Sequence, residues 1–320
     1  MPNMPEILDH IPYIQQKCVE HFGSIPVKIE RFTTGLCHSV YGVEYPEQKY
    51  VMRVASEEHR KTLKWWLYWL EKLEDIGTRI PKIIVDGTEN EVPYVILNFI
   101  PGKDLGDVYT SLTKDQKQEI VKGLVRAQKS VEEQLPSHCG YGYLSSYEDQ
   151  SYKKGWKEVI LSHLERSRKR IRENKVFDSE LVDRVENELK RFDEYFAHIE
   201  PLPFLEDTST KNVLIHEWKL SWIVDIDYIC FGDKLYIVAL TNMALLSEKS
   251  ETDYIDFWKE ELGIDEEQNE IIDLYTLIYC LDFMSWIGMQ FKNWSLTNPS
   301  EEKIGKMNEI YTHFLDKISQ

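Results

Sequence analysis

The interpretation of this chain starts from two stretches of sequence, residues 205–213, Leu-Glu-Asp-Thr-Ser-Thr-Lys-Asn-Val, and residues 225–227, Asp-Ile-Asp. β-rich runs on both sides of a turn at 217–219 predict a hairpin that carries Asn212 at its start and Asp225 at its end. Phosphoryl transfer uses an Asp, then an Asn five positions later, then an Asp after a strand, to orient the acceptor and hold Mg²⁺. By itself this spacing also arises by chance in solvated turns, so the rest of the chain must support it.

The composition indicates a globular protein with one large or two ordinary domains. The chain has 320 residues, of which 42% are hydrophobic and 29% charged. Its five cysteines are scattered and include no C-x-x-C pair, which argues against a disulfide framework or a zinc site and favours a reducing, cytoplasmic compartment. The first residues lack a basic segment before an apolar core, so we expect no secretory signal. The longest mostly apolar stretch, residues 235–246, is too short to cross a membrane.

The charge balance narrows the choice of partners. The sequence has 38 Lys and Arg residues against 55 Asp and Glu residues, a formal net charge of −17. Such a field repels nucleic acid and anionic lipid and attracts cations. We therefore expect a small cationic molecule as partner, with no nucleic acid and no membrane. The sequence does not indicate an oligomeric state.

Residues 1–99 are predicted to form a small β-rich unit. Helical spacing of apolar residues over 5–22 predicts an opening helix, and a second helix is predicted over 57–76. Short runs of strand-forming residues surround them and predict a five-stranded antiparallel sheet. The predicted strands are 27–32, 40–44, 50–55, 82–86 and 93–99.

Residues 100–320 are predicted to form a larger helical unit that contains the hairpin. The strand pattern ends at Ile100-Pro101-Gly102, and amphipathic helical patterns then dominate. The predicted helices are 113–135, 153–174, 178–198, 233–247, 252–262, 266–291 and 299–318. The fold class is therefore α+β, with a small β-rich part followed by a helical part.

Five blocks in order resemble the aminoglycoside phosphotransferase family, small-molecule kinases that are related to choline kinase. They are 32–43 (FTTGLCHSVYGV), 50–55 (YVMRVA), 95–102 (VILNFIPG), 205–215 (LEDTSTKNVLI) and 222–233 (WIVDIDYICFGD). These blocks are similar to the family's phosphate-covering turn, third strand, hinge, catalytic segment and metal segment. The resemblance implies a protein-kinase-like fold with two lobes, residues 1–99 binding the nucleotide and residues 100–320 carrying the catalytic loop.

The resemblance also implies roles for single residues. Asp207 would be the catalytic carboxylate, and Asn212 and Asp225 would bind Mg²⁺, with Asp227 as a further metal candidate. Arg53 would hold the nucleotide phosphates. The residues implied to contact ATP or GTP are Arg53, Thr34, Gly35, Asn98, Phe99 and Ile100.

Two departures from the family's pattern leave alternatives open. Leu205 and Glu206 stand where the resemblance expects His and Gly before the catalytic Asp. The positions that do chemistry are filled, so we expect an enzyme that transfers the γ-phosphoryl of ATP or GTP to a hydroxyl of a small, cationic, aminoglycoside-like acceptor. A choline-type or other metabolic kinase, and a degenerate nucleotide-binding pseudoenzyme, are the alternatives.

Aromatic residues in two helices allow both a packing and a binding interpretation. Trp65, Trp66 and Trp69 fit a helix that packs on a small sheet, so core packing is expected for them. Tyr279, Phe283 and Trp286 have acidic neighbours, Asp273 and Asp282, and such a group can hold a cation. Core packing explains this second set as well.

Overall fold

A computed structural model gives the structure of residues 10–32, 38–291, 294–295 and 300–319. The first five strands form one antiparallel sheet in the order β1-β2-β3-β5-β4. These strands are β1 Lys28–Phe32, β2 Ser39–Glu44, β3 Lys49–Val54, β4 Ile83–Gly87 and β5 Tyr94–Asn98. The five-stranded sheet expected from the sequence is therefore confirmed. The helices of this part are α1 Ile11–Phe22, which ends at Gly23 with a left-handed φ of 76°, and α2 Arg60–Asp75.

Helices dominate the rest of the chain. They are α3 Leu105–Val108, α4 Lys114–Gln134, α5 Trp156–Asn174, α6 Glu180–Glu188, α7 Asp193–His198, α8 Leu235–Ser247, α9 Asp253–Leu262, α10 Glu266–Trp286 and α11 Glu301–Ile318. The remaining strands are β6 Lys103–Asp104, β7 Gly142–Leu144, β8 Pro203–Leu205, β9 Val213–His216, β10 Lys219–Ile223, β11 Ile229–Phe231, β12 Gln290–Phe291 and β13 Trp294–Ser295. The long helices α4 and α10 each begin with a reciprocal capping box, which satisfies backbone N–H groups at the helix start.

Two three-stranded sheets bring the ends of distant segments together. One has the order β10-β9-β6 and the other the order β7-β11-β8. In the second sheet Leu205 lies opposite Ile229, so Asp207 follows one strand and Asp227 precedes its neighbour at the same end of the sheet. The predicted hairpin is formed by β9 and β10, and its two-residue turn, Glu217 and Trp218, has positive φ at both positions.

The two parts of the chain have separate cores of very different size. A small cluster between α1 and the first sheet contains Tyr41, Met52 and Tyr94. The second helix, α2, packs instead into the large core of the helical part, with Trp66 and Trp69 buried there. Burial of these two indoles confirms the packing interpretation of the helix, and α2 therefore links the sheet to the helical part.

Several predicted elements differ from those observed. The helix predicted over 178–198 is interrupted at Leu189–Phe192 by a 3-10 turn, whose two apolar ends are both buried. The helix predicted over 266–291 ends at Trp286, because Ile287 is extended and Gly288 has a φ of 83°. The strands β7, β8 and β11 were not predicted, since three residues are too few to show an alternating pattern. Residues 5–9 of the predicted opening helix lie outside the described residues.

Across the residues with described positions, none of the helices combines the length and apolar character that a membrane span requires.

Candidate active site

A tight loop after β8 holds Asp207. Its Oδ1 accepts a hydrogen bond of 2.8 Å from the backbone N–H of Ser209, and the N–H of Asn212 donates to the carbonyl of Ser209 at 3.0 Å. The N–H of Gly106 donates to the carbonyl of Thr210 at 2.9 Å, which ties the loop to the start of α3. Burial raises the pKa of the Asp207 carboxyl. The loop thus presents one desolvated carboxyl group in a fixed position.

The segment after β10 brings Asp225 next to this loop. The N–H of Val224 donates to the carbonyl of Asn212 at 2.8 Å, so the two ends of the hairpin stay joined. Asp225 adopts a left-handed φ of 57°, an unusual conformation for a residue with a side chain, and its side chain is 56% exposed. This turn directs the chain away from the hairpin at the point where the predicted metal ligand lies.

Arg53 connects the first sheet to these carboxylates. One guanidinium nitrogen, Nη1, lies 3.0 Å from Asp225 Oδ1, and the other, Nη2, lies 3.2 Å from Asp227 Oδ1. The guanidinium also stacks 4.6 Å from the ring centroid of Trp66, and the Arg53 side chain is only 9% exposed. The structure therefore gathers Arg53, Asp225 and Asp227 in one place. Their contact spans more than half of the chain, from β3 to the segment after β10.

Glu206 is a site residue whose role the sequence did not reveal. Its Oε1 accepts a hydrogen bond of 2.8 Å from the N–H of Tyr228, which joins the catalytic loop to the segment that carries Asp227. Burial, together with the charges of Asp227 and Asp207, raises the pKa of Glu206 well above its usual range. Its position beside Asp207 was visible in the sequence, but its partner is brought close only by the pairing of β8 with β11.

The local charge is negative. Burial raises the pKa of Asp227 to about 6, and Asp225 and Asp207 add to this rise while Arg53 opposes it. Carboxylate and amide oxygens are suitable ligands for Mg²⁺, and a cation would relieve the repulsion between these acids. Over the described ranges, no three acidic, histidine or cysteine side chains already converge on one point. The donor set of Asn212, Asp225 and Asp227 still fits a hard divalent cation, with Arg53 as the cation that now neutralises the two acids.

The predicted hinge residues lie where β5 ends. The N–H groups of Asn98 and Phe99 donate to the carbonyls of Lys82, at 3.1 Å, and Lys49, at 3.2 Å. The N–H groups of Asn98 and Phe99 are therefore used within the sheet. An adenine at this strand end would bind to the carbonyl groups of these residues or to the buried residue Ile100 instead. Thr34 and Gly35 lie outside the described residues.

His38 is a buried residue close enough to Arg53 to be affected by its charge. Its pKa is lowered to about 3 by burial and by the charges of Arg53 and His59. Neither ring nitrogen makes a hydrogen bond to another part of the chain that the structure describes. A neutral imidazole therefore lies beside the Arg53 guanidinium.

A sequence model of the phosphotransferase enzyme family matches residues 28–266, which is most of the chain. The chain belongs to this family. No curated protein matches it. Membership confirms the prediction of a phosphotransferase that acts on a hydroxyl group, and it confirms the family resemblance.

Solved structures of this family share the fold over nearly the whole chain. A thermostable mutant of aminoglycoside phosphotransferase APH(4)-Ia is 16% identical, with a TM-score of 0.66 and coverage of 95% of this chain and 97% of the other. ADP-bound aminoglycoside phosphotransferase APH(2'')-Ib is 14% identical, with a TM-score of 0.66 and coverage of 98% and 99%. A protein assigned as a fructosamine-3-kinase, from Haemophilus somnus 129PT, is 14% identical, with a TM-score of 0.64 and coverage of 96% and 97%. The predicted kinase-like fold is confirmed.

The departure at Leu205 has a structural explanation in this phosphotransferase. Leu205 is fully buried at the end of β8, and its N–H donates to Gln128 Oε1 of α4 at 3.1 Å. An apolar side chain in the core and a side-chain hydrogen bond to its backbone anchor the start of the catalytic loop.

Proposed function

We propose that the chain transfers the γ-phosphoryl group of ATP or GTP, with Mg²⁺, to a hydroxyl group of a small molecule. The observation that carries this proposal is the contact of Arg53 with both Asp225 and Asp227, next to Asp207 and Asn212. A cation from the sheet and a carboxylate group from the helical part then face each other across one site, as transfer of a charged phosphoryl group requires.

The proposed roles follow from the positions of these side chains. Asp207 would accept a hydrogen bond from the acceptor hydroxyl and orient its oxygen towards the γ-phosphorus. Asn212, Asp225 and Asp227 would hold Mg²⁺, which supplies neutralisation of the phosphate charge when bound. Arg53 would exchange its carboxylate partners for the nucleotide phosphates, since its planar fork fits either group. Catalysis would come from positioning and electrostatic stabilisation.

The nucleotide is proposed by analogy with related structures. Neighbours of 14–16% identity were crystallised with ADP or AMP-PNP. In this chain the corresponding contacts would come from Arg53, the strand end at Asn98, Phe99 and Ile100, and the turn with Thr34 and Gly35. The choice between ATP and GTP depends on which hinge carbonyls face the base.

Two observations place cationic molecules among the acceptors to be tested. The net charge of −17 concentrates cations around the protein, and neighbours were solved with hygromycin B or streptomycin. Aminoglycosides and choline-type amines therefore belong in any acceptor screen. The acids near the aromatic residues of α10 do not add support, because Asp273 pairs with Lys317 at 2.6 Å and Asp282 pairs with arginines of α5.

The test is ADP release from Mg²⁺-ATP and Mg²⁺-GTP with a panel of hydroxylated acceptors. We expect Asp207→Asn to lower kcat by about a hundredfold or more while nucleotide affinity changes little, because Asn keeps the hydrogen bond from Ser209 but is a poor proton acceptor. Asp316→Asn, an exposed change on α11, is the matched control. Equal activity of the Asp207→Asn variant and the wild type would sink the assignment, and nucleotide binding without turnover of any acceptor would favour the pseudoenzyme.

A further inference from the structure

A second charged cluster lies between α5 and α10. Asp282 of α10 is almost buried, and its Oδ1 lies 3.3 Å from Arg166 Nη2, 3.5 Å from Arg170 Nη1 and 3.2 Å from His163 Nε2. The indole N–H of Trp286 donates to Asp282 Oδ2 at 3.2 Å. Several donors therefore share one carboxylate.

The cations in this cluster outnumber the acids. Burial raises the pKa of Asp282, but His163, Arg166 and Arg170 lower it by more, so this carboxylate is ionised. Two guanidinium groups then share one carboxylate at ion-pair distance. Arg170 Nη1 is buried and makes no hydrogen bond to any residue that the structure describes. Burial lowers the pKa of Arg170, Asp282 and the more distant Glu173 oppose this change, and the charge of Arg166 adds to it.

The neighbouring Arg168 shows what full compensation looks like on the same helix. Its guanidinium pairs with Glu165 and Glu186 and lies 3.1 Å from Asp183. Three acids thus surround one arginine on that face of α5, whereas Arg166 and Arg170 share one. Arg166 is nevertheless reachable, since its side chain is 49% exposed, and Arg170 is held 4.1 Å from the ring centroid of Trp286. Both cations are therefore fixed in place while their charge is incompletely paired.

A layer of aromatic side chains joins this cluster to the catalytic loop. Tyr143 lies opposite Cys230 in the β7-β11-β8 sheet, whose end carries Glu206 and Asp207. Burial raises the pKa of Tyr143, and the charge of Glu206 contributes to the rise. The rings of Tyr236 and Tyr279 lie 4.5 Å apart behind Tyr143.

The arginine cluster lies at the other side of this aromatic layer. The ring of His163, one turn before Arg166, lies 5.3 Å from that of Tyr279. Burial lowers the pKa of Arg166, but Asp282, Tyr236 and Tyr143 raise it by more, so Arg166 is electrostatically close to the same tyrosines as Glu206. A continuous series of side-chain contacts therefore runs from the β7-β11-β8 sheet to the two arginines.

We infer that Arg166 and Arg170 bind an anionic group, a carboxylate or a phosphate monoester, of the molecule whose hydroxyl is phosphorylated. The inference rests on the proposed function, because it assigns the two arginines to the binding site of the acceptor. The parallel N–H groups of a guanidinium can donate to both oxygens of a carboxylate or to two oxygens of a phosphate. A bound anion would also neutralise the positive charge that Asp282 alone does not neutralise. A polycation such as an aminoglycoside would be repelled from the same position.

The first test measures binding of simple anions without any need for an acceptor. Mg²⁺-ADP is kept saturating to fill the nucleotide site, and melting temperatures are recorded with malonate, with inorganic phosphate or with sodium chloride of equal ionic strength. The variants are Arg166→Ala, Arg166→Gln and Arg170→Ala, with Lys169→Ala as control, which removes one exposed positive charge from the same helix. We expect binding about tenfold weaker in the three arginine variants and unchanged in the control. Stabilisation by malonate would indicate a carboxylate as the bound group, and stabilisation by inorganic phosphate would indicate a phosphate monoester.

Equal stabilisation of wild type and arginine variants by both anions would overturn the inference. An arginine variant that melts like the wild type without anions is folded, and the half-exposed Arg166 makes this the expected behaviour of Arg166→Gln.

The second test uses turnover and separates failure of the inference from failure of the proposed function. Hydroxylated carboxylates, sugar monophosphates and aminoglycosides are compared as acceptors of the wild type. For an anionic acceptor, Arg166→Ala should raise KM about tenfold with little change in kcat, whereas for a cationic acceptor the same change should lower KM. A preference for aminoglycosides with KM lowered in Arg166→Ala would refute the inference and leave the kinase intact. Absence of nucleotide binding would refute the kinase itself.

Discussion

Two clusters of charged side chains in this phosphotransferase have opposite balances. On the nucleotide side, the single guanidinium of Arg53 meets Asp225 and Asp227, with Asp207 and Glu206 nearby. On the helical side, two guanidinium groups share the carboxylate of Asp282 at ion-pair distance, and Glu173 acts on Arg170 from farther away. The first cluster is short of positive charge and the second is short of negative charge. Each deficit indicates the ligand that would remove it, a divalent cation with a nucleotide in one case and an anionic acceptor group in the other.

The largest expected effect in the nucleotide cluster comes from Asp225→Asn. Removing one carboxylate takes away a proposed metal ligand, and we expect affinity for Mg²⁺-ATP to fall about a hundredfold, while affinity for ATP without Mg²⁺ changes little. Titration calorimetry of the variant beside wild type and Asp316→Asn measures both affinities. Unchanged affinity for Mg²⁺-ATP would remove Asp225 from the metal site.

Replacing Arg53 tests whether it acts as the resident cation of this cluster. In Arg53→Ala the two carboxylates lose their partner, so we expect Mg²⁺ alone to bind about tenfold more tightly and Mg²⁺-ATP to bind more weakly. Arg53→Lys keeps the positive charge but lacks the planar guanidinium group. Its affinities for Mg²⁺ and for Mg²⁺-ATP should therefore lie between those of the wild type and those of Arg53→Ala. Mg²⁺ affinity that does not rise in Arg53→Ala would contradict competition between Arg53 and the metal.

The pH dependence of Mg²⁺ binding tests the role of Asp227 in the cluster around Arg53. With a pKa of about 6, Asp227 is ionised above that pH and protonated below it. Binding of Mg²⁺ requires the ionised form, so affinity should be lost as the pH falls through about 6, by up to about tenfold for each pH unit below it. Glu206, Asp207, Asp225 and Arg53 face the same carboxyl group. We expect Asp227→Asn to flatten the profile, and an equally steep profile in that variant would assign the titration to another of these groups.

The smallest expected effect concerns Glu206. In Glu206→Gln the side-chain oxygen still accepts the hydrogen bond from Tyr228, but the acid whose pKa is raised by burial and by Asp227 and Asp207 is replaced with a neutral amide. We expect the melting temperature to rise by about 2 °C at neutral pH, which corresponds to about 1 kcal/mol in a chain of this size. Scanning calorimetry against Glu206→Ala, which loses the hydrogen bond and should melt lower, measures the difference. A lower melting temperature for Glu206→Gln would show that its charge stabilises the loop.

Sequence reasoning located the parts of the site that are local in the chain. Asp207, Asn212 and Asp225 belong to one loop and one hairpin, so the hairpin predicted from the sequence already placed them close together. The contact of Arg53 with Asp227 joins the first sheet to a segment 174 residues later, and sequence reasoning did not predict it. The family resemblance implied only separate roles for the two residues. The hydrogen bond between Glu206 and Tyr228 depends on pairing of two three-residue strands, which leave no readable pattern.

The helical cluster shows how a long-range partner can decide against one of two interpretations drawn from sequence neighbours. In the sequence, Asp282 stands beside Tyr279 and Trp286, and this group allowed a cation site. The fold places Arg166 and Arg170 of α5 against the same carboxylate, so the local charge becomes positive. The sign of the local charge at this surface depends on which helices pack together. Amphipathic patterns predict helices but not their pairing.

The measurement that tests the central claim most directly is the affinity of the wild-type chain for ATP with and without Mg²⁺, by titration calorimetry. The negative balance around Asp225 and Asp227 predicts that ATP binds at least about tenfold more tightly when Mg²⁺ is present, because the metal would offset the repulsion between the phosphates and these acids. Binding of equal strength without Mg²⁺, or no binding of ATP or GTP in either condition, would contradict a metal-dependent nucleotide site.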